Sequence, residues 1–279
     1  MTPARQHQIP ALEAFYQAHI ATSMFPLSNL RRFGLAGGHP RACRFWLCQD
    51  AGAVTGAVAL SEEGFLFPQC PQGGWDSLRD PLKGERIKGI LGDGDQAQAL
   101  RDALSLPRPA EMDDVDPLYT LALEDLRLPD VAGYDLSPIT PDVREEVIRW
   151  RAAYLREVMP VPGEDLNQRA ATEIENYITA DSHRVLLKHG VAVSMTGFNA
   201  QLAEAVQVGG VYTPEAKRGQ GFARRAVALH LVEARDKGIA AAILFAASER
   251  AGRVYEAIGF RREGAFALIM YETPQVVHG

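Results

Sequence analysis

The chain has 279 residues, 47% hydrophobic and 23% charged, and it exceeds the common domain size of about 100 to 200 residues, so two domains are expected. No apolar run approaches the roughly 18 residues of a membrane helix, and Met1 to Gln8 shows no apolar stretch before a small-residue cleavage site, so no membrane partner and a cytoplasmic location are expected. A formal net charge of -6 opposes a phosphate backbone, and no nucleic-acid partner is expected.

In the first half, Arg44 to Leu47 and Ala53 to Leu60 read as strands joined by the turn Gln49-Asp50-Ala51-Gly52. Cys43, Cys48 and Cys70 lack paired C-x-x-C spacing and read as reduced thiols, with no metal site. Phe65, Phe67 and Trp75 either fill a core or line an acceptor cleft. Ile87 to Leu91 reads as a strand and Gln96 to Leu104 as a helix. Between them, Gly92-Asp93-Gly94-Asp95 lacks the later ligands of a calcium loop, and helix capping by Asp accounts for it better. From Glu111 to Asp142, acidic and Pro-rich stretches flank one alternating run, Tyr119 to Leu123, which places a boundary near Pro129 to Tyr134. The expected domains are 1–133 and 134–279.

The second half opens with helical patterns at Asp142 to Val158, entered through Thr140-Pro141, and at Glu164 to Ala180. Strands follow at Arg184 to Lys188, Val191 to Phe198 and Ala205 to Thr213, with turns at His189-Gly190 and Asn199-Ala200. A helix from Gly221 to Lys237, closed by Gly238, leads to the strand Ile239 to Ala246, a sequence that implies a parallel crossover. A helix from Glu249 to Ala257, ending near Gly259, and the strand Ala265 to Tyr271 complete the order ααβββαβαβ.

The stretch VGGVYTPEAKRGQGFARRA, Val208 to Ala226, carries the chemistry. A strand runs through a turn and a glycine loop into a helix, whose first N–H groups have no intrahelical partner and lie at the positive end of the helix dipole. Gln220, Gly221, Phe222 and Ala223 thus offer backbone donors to a pyrophosphate, Gly219 and Gly221 let it approach, and Arg218 adds charge. No Lys-Ser or Lys-Thr pair follows, so a P-loop is excluded. A dinucleotide fingerprint is disfavoured because Arg224 stands at the third glycine position and the next strand ends Phe245-Ala246-Ala247-Ser248 without an acid.

Arg218-Gly219-Gln220-Gly221-Phe222-Ala223 resembles the acyl-CoA signature of the GNAT superfamily, [QR]-x-x-G-x-[GA]. The run from Ser248 through Ala251, Tyr255 and Gly259 to Phe260 is similar to the superfamily's second segment, N-x-x-A-x-x-x-Y-[DE]-x-x-G-F. VGGVYTPE is similar to the glycine N-acyltransferase-like branch. The resemblance covers about half the chain and implies an α/β (α+β) GNAT fold, a mixed central sheet flanked by helices. It also makes the first half a degenerate copy, with Asp93 and Asp95 where the phosphate loop should lie. The implied activity is an N-acetyltransferase that moves an acetyl or short acyl group from acetyl-CoA to a primary amine, on a small molecule or a peptide, by direct attack. Monomer and homodimer both remain open.

By the same resemblance, Val211, Tyr212 and Thr213 run beside the pantetheine arm, residues 218–224 including Arg224 hold the phosphates, and Ser248 and Ala251 close the cofactor site. Tyr255 protonates the departing thiolate, a role suited to a phenol. Two positions depart from the pattern. Ser248 replaces the usual Asn, and Gln207 replaces a Glu general base and cannot take a proton. Glu204 faces the other side of a regular strand. The base is left to a water chain, to an amine deprotonated before binding, or to His183 or His189. Without a base, the alternative is a catalytically silent acyl-CoA sensor or regulatory module.

Overall fold

The structure, a computed structural model, describes residues 1–35, 37–158 and 165–278. The chain divides into two compact units, Met1–Leu118 with Glu263–Gly279, and Tyr119–Arg262. The expected division at 133/134 differs from this partition in two ways: the second unit begins already at Tyr119, and the last strand returns to the first unit.

The first unit begins with β1 (Thr2–Pro3), α1 (Ile9–Ala18) and α2 (Ile20–Phe33). The hairpin β2 (Cys43–Asp50) and β3 (Ala53–Ser61) turns at Ala51 and Gly52, both at positive φ, the geometry that matches strand twist in a two-residue turn. Then come β4 (Phe65–Gln69), α3 (Arg79–Leu82), β5 (Arg86–Asp93), α4 (Gly94–Ala103) and β6 (Met112–Ala122), which crosses into the second unit at Tyr119.

The second unit continues with β7 (Tyr134–Pro138), α5 (Pro141–Val158) and α6 (Leu166–Thr179). Asp165 caps α6 by accepting from the N–H groups of Asn167 at 3.0 Å and Gln168 at 3.1 Å. The expected start of this helix, Glu164, lies outside the described residues. Next are β8 (His183–Lys188), β9 (Val191–Gln201), β10 (Ala205–Tyr212), α7 (Phe222–Asp236), β11 (Ala241–Phe245) and α8 (Glu249–Glu256). Gly238, at φ +89°, ends α7 as expected of a residue just past a helix C-terminus. β12 (Arg261–Val276) closes the chain.

Strand order is β1-β2-β3-β4-β5-β12 in the first unit and β6-β11-β10-β9-β8-β7 in the second. Each unit contains a parallel pair, β4/β5 in the first and β10/β11 in the second, flanked by antiparallel partners β3 and β9. Helices cover both faces of the second sheet. On one, Val227 and Leu231 of α7 pack on Val206, Val208 and Leu244; on the other, Val147 and Trp150 of α5 and Ile174 of α6 pack near Val185, Met195 and Tyr212. No helix among the described residues is long and apolar enough to cross a membrane.

This topology corrects one sequence expectation. The counterpart of the glycine loop between β10 and β11 is the segment between β4 and β5, not Gly92 to Asp95, which spans the end of β5 and the start of α4. That segment contains only a 3-10 turn, Trp75–Leu78, and the four-residue α3. Asp93 instead caps α4, its Oδ1 accepting from Gln96 N at 3.1 Å. The end of β4 is also closed: Pro68 packs against Gly92, and Cys70 N donates to Gln96 Oε1. Phe67 is buried and Trp75 packs on the core around Leu66 and Leu78, so both are core residues, while Phe65 is half-buried beneath Lys88 Nζ at 5.4 Å.

Candidate active site

The site lies within the second unit, where a parallel pair comes apart. β10 and β11 stay in register from Ala205 opposite Ala241 to Val208 opposite Leu244, and pairing stops there although β10 continues to Tyr212. A register shift against β9 between Gly209 and Tyr212, with Gly210 at φ +62°, turns the strand away, as bulges do. The opening is a cleft of about 1020 Å³ lined by 208–212 of β10 and Thr213 just beyond it, the loop and first turn of α7 at 217–225, 244–248 at and after the end of β11, and Ala251, Val254 and Tyr255 of α8. Every residue expected from sequence to hold the cofactor faces this one cleft: Val211, Tyr212, Thr213, Arg218 to Arg224, Ser248, Ala251 and Tyr255.

Gly219 at φ +80° and Gly221 at φ +73° occupy left-handed conformations that glycine adopts without steric cost. Gly221 is the N-cap of α7 and has no side chain to satisfy the first turn. Arg225 N, donating to Gly221 O at 3.2 Å, makes the first return bond, which leaves the N–H groups of Phe222, Ala223 and Arg224 without an intrahelical acceptor at the positive helix end. The Nε–H of Arg224 is buried and has no partner among the described residues.

Arg225, which the sequence reading did not single out, holds the loop from below. Its Nη1 donates to Gln220 O at 3.0 Å and Gly221 O at 3.3 Å, its Nε donates to Asp130 O at 2.7 Å, and its guanidinium stacks 4.8 Å from the Tyr134 ring centroid. In a trans peptide the N–H points opposite to the C=O, so tying those two carbonyls to Arg225 aims the N–H groups of Gly221 and Phe222 away from it.

Arg218 is not a free charge. Its Nη2 donates to Glu157 Oε2 at 2.7 Å and its Nε to Thr213 O at 3.0 Å, while the Tyr212 hydroxyl donates to Glu157 Oε1 at 3.0 Å. Ser248 caps α8, its Oγ accepting from Ala251 N at 3.2 Å. Tyr255 is half-buried with its ring edge-on to Phe260 at 6.1 Å, and burial, then the nearby Tyr154 phenol, push its hydroxyl up to about 12, so it stays protonated at neutral pH.

The candidate bases separate clearly. Gln207 is buried, its Nε2 donating to Val208 O at 2.7 Å and its Oε1 left without a partner among the described residues. His183 stacks on Tyr177 at 3.6 Å behind the bulge, outside the cleft lining; a Cβ at Gly210 would meet its Nε2 at 2.7 Å. Burial, reinforced by Arg151 and Arg184, pushes its pKa down to about 3. His189 is exposed in the β8–β9 turn, and neither it nor Glu204 lines the cleft. The structure does bring in Tyr154 and Glu157 from the end of α5.

No family model and no curated protein matches this chain. Solved structures do. A GNAT-family acetyltransferase from Colwellia psychrerythraea is 14% identical over 97% of this chain and 98% of its own, at a TM-score of 0.55. A tandem GNAT protein from the clavulanic acid biosynthesis pathway is 15% identical over 95% and 96%, also at 0.55. A GCN5-related N-acetyltransferase from Kribbella flavida is 16% identical over 90% and 93%, again at 0.55. With the mixed sheet, the flanking helices and the splayed parallel pair, these likenesses establish that the chain has the GNAT fold over most of its length.

Proposed function

We propose that the second unit is an acyl-CoA-dependent N-acyltransferase that passes an acetyl or other short acyl group to a primary amine. The observation that carries this reading is the splay of β10 from β11 above an uncapped, glycine-entered helix N-terminus. The residues present fit the group: the orphaned N–H groups of Phe222 to Arg224 and the partnerless Arg224 Nε–H are donors suited to a pyrophosphate, and the strand edge of Val211 to Thr213, unpaired on the β11 side, suits an extended amide-bearing arm. Acetyl-CoA supplies a thioester carbonyl open to amine attack and a thiol leaving group. On the protein side, Tyr255 holds a proton at Oη for that sulfur, and the Gly209–Gly210 bulge shapes the reacting end of the cleft. Gln207 Oε1 accepts hydrogen bonds but not a proton, so the amine sheds its proton to solvent or arrives neutral. The resemblance of VGGVYTPE to the glycine N-acyltransferase-like branch adds no further residue to the site.

The missing base at Gln207 favours a second reading, a silent acyl-CoA sensor. Coenzyme A release from acetyl-CoA across a panel of primary amines separates the two, since turnover with any amine sinks the sensor reading. Titration with acetyl-CoA should give one site per chain, because the first unit's β4–β5 segment has no helix N-terminus of useful length and is closed by Pro68 and Gln96. A stoichiometry of two would overturn that assignment.

Arg225 gives a finer check. Arg225→Ala should weaken acetyl-CoA binding about tenfold, or about 1.4 kcal/mol, yet leave S-acetylpantetheine, which has no pyrophosphate, bound as in the wild type. Equal losses for both ligands would mean that Arg225 supports the loop generally and does not aim its amides.

A further inference from the structure

Glu157 is the only carboxylate among the described residues that line the cleft; the other charged side chains there are Lys217, Arg218, Arg224 and Arg225. It stands near the C-terminal end of α5, one turn beyond Tyr154. Tyr154 packs edge-on to Tyr212 at 6.4 Å and adds to the electrostatic burden on the Tyr255 phenol, which ties this end of α5 to the reacting end of the cleft. Both Glu157 oxygens are engaged by groups of the cofactor-binding segment: Oε1 accepts from the Tyr212 hydroxyl at 3.0 Å and Oε2 from Arg218 Nη2 at 2.7 Å.

Arg218 is therefore shared. It begins the glycine loop, whose donors suit phosphate, and its charge is currently spent on a side chain that is 44% exposed. An exposed ion pair of this kind is held only weakly. A dianionic pyrophosphate arriving at the loop competes for the same guanidinium with more charge and more acceptor oxygens, and it takes Arg218 from Glu157. The released carboxylate then faces the cleft without its cation, because Lys217 stays on Ala192 O and Arg225 on the loop carbonyls.

We infer that Glu157 is the acceptor-recognition residue of this cleft, that it pairs with the positive charge of a cationic amine, and that cofactor binding makes it available by drawing Arg218 away. The acceptor class is then a cationic amine without a carboxylate beside it. The inference rests on the acyl-CoA reading of the site. It adds a linkage that reading does not contain: coenzyme A and amine strengthen each other's binding by the same factor, because each favours the state in which the Arg218–Glu157 pair is open.

Calorimetry tests this without requiring turnover. Propylamine, a cation, is titrated into the free protein and into the protein saturated with coenzyme A, and glycine and aniline serve as zwitterionic and neutral controls. Propylamine should bind the coenzyme A complex about tenfold more tightly than the free protein, a coupling of about 1.4 kcal/mol, and more tightly than either control. Glu157→Gln should abolish that coupling and weaken propylamine binding to the complex by about tenfold, while coenzyme A itself binds no more weakly than to the wild type, which also reports that the variant is folded. Equal propylamine binding by wild type and Glu157→Gln, or a preference for glycine, overturns the inference and leaves the acyl-CoA reading standing. Failure of coenzyme A to bind the wild type overturns both.

Discussion

Replacing Tyr255 by Phe should lower turnover about a hundredfold to ten-thousandfold, the range typical of general acid catalysis, while acetyl-CoA affinity stays within about a few-fold of the wild type. The substitution removes the Oη proton and keeps the ring that packs edge-on to Phe260. The pH profile refines the test. The Tyr255 hydroxyl is pushed up to about 12 by burial, so it stays protonated through the ordinary range, and any alkaline fall in rate well below about 12 belongs to another group. An alkaline limb that disappears in Tyr255→Phe would contradict that placement. A Phe variant with wild-type turnover would show that the thiolate leaves unassisted or is protonated elsewhere, and Tyr255 would be a packing residue of α8.

Gly221→Asp should weaken coenzyme A binding by well over tenfold, or more than about 1.4 kcal/mol, without unfolding the protein. Asp tolerates a left-handed backbone better than most residues, and at an N-cap its carboxylate accepts from the next amides of the helix. Here those amides are the donors of the cofactor loop. The new Cβ would lie 2.9 Å from Arg225 Nη1, so the guanidinium has to shift as well. The substitution thus stabilises α7 through the same groups it withdraws from the ligand, and it adds a negative charge where phosphate is expected. Gly221→Ala separates strain from charge: it shares the left-handed penalty and the contact with Arg225 but not the carboxylate, and it should cost much less affinity. Calorimetry on both variants checks this, and unchanged affinity in a folded Asp variant would reduce the loop to a turn.

The cleft was the most legible part of the sequence, because its demands are local. Gly219 and Gly221 sit at positive φ, so the backbone needs glycine there, and a glycine pattern entering a helix can be read without knowing what surrounds it. The same locality misled the reading at Gly92 to Asp95, where an equally glycine-rich stretch caps a helix after the wrong strand; only the pairing of β4 with β5 shows which segment is the counterpart. The sequence reading predicts neither α1 nor α2; in α2, Pro26 interrupts the helical pattern. No strand is predicted at β7, a short edge strand ending in Pro138, the place in a sheet where proline is tolerated. Glu157 was illegible for another reason: its partner Arg218 is 61 residues away, and nothing in α5 marks an acid in its last turn as facing a cleft.

The return of β12 to the first unit bears on how the chain comes off the ribosome. β12 pairs antiparallel with β5, Phe266 opposite Asp93 and Ile269 opposite Ile90, and its Ala267, Ile269 and Tyr271 share a core with Ile87, Ile90 and Leu100. Tyr119 to Arg262 is continuous in sequence, so its own residues have all been made before β12 is complete. The first unit must instead hold Ile87 and Ile90 against an incomplete neighbour until the final strand is synthesised. Closing so long a loop costs little more than closing one half its length, because the entropy of closure grows only logarithmically. Timing is the constraint: the unit whose strands precede the other in sequence is completed after it.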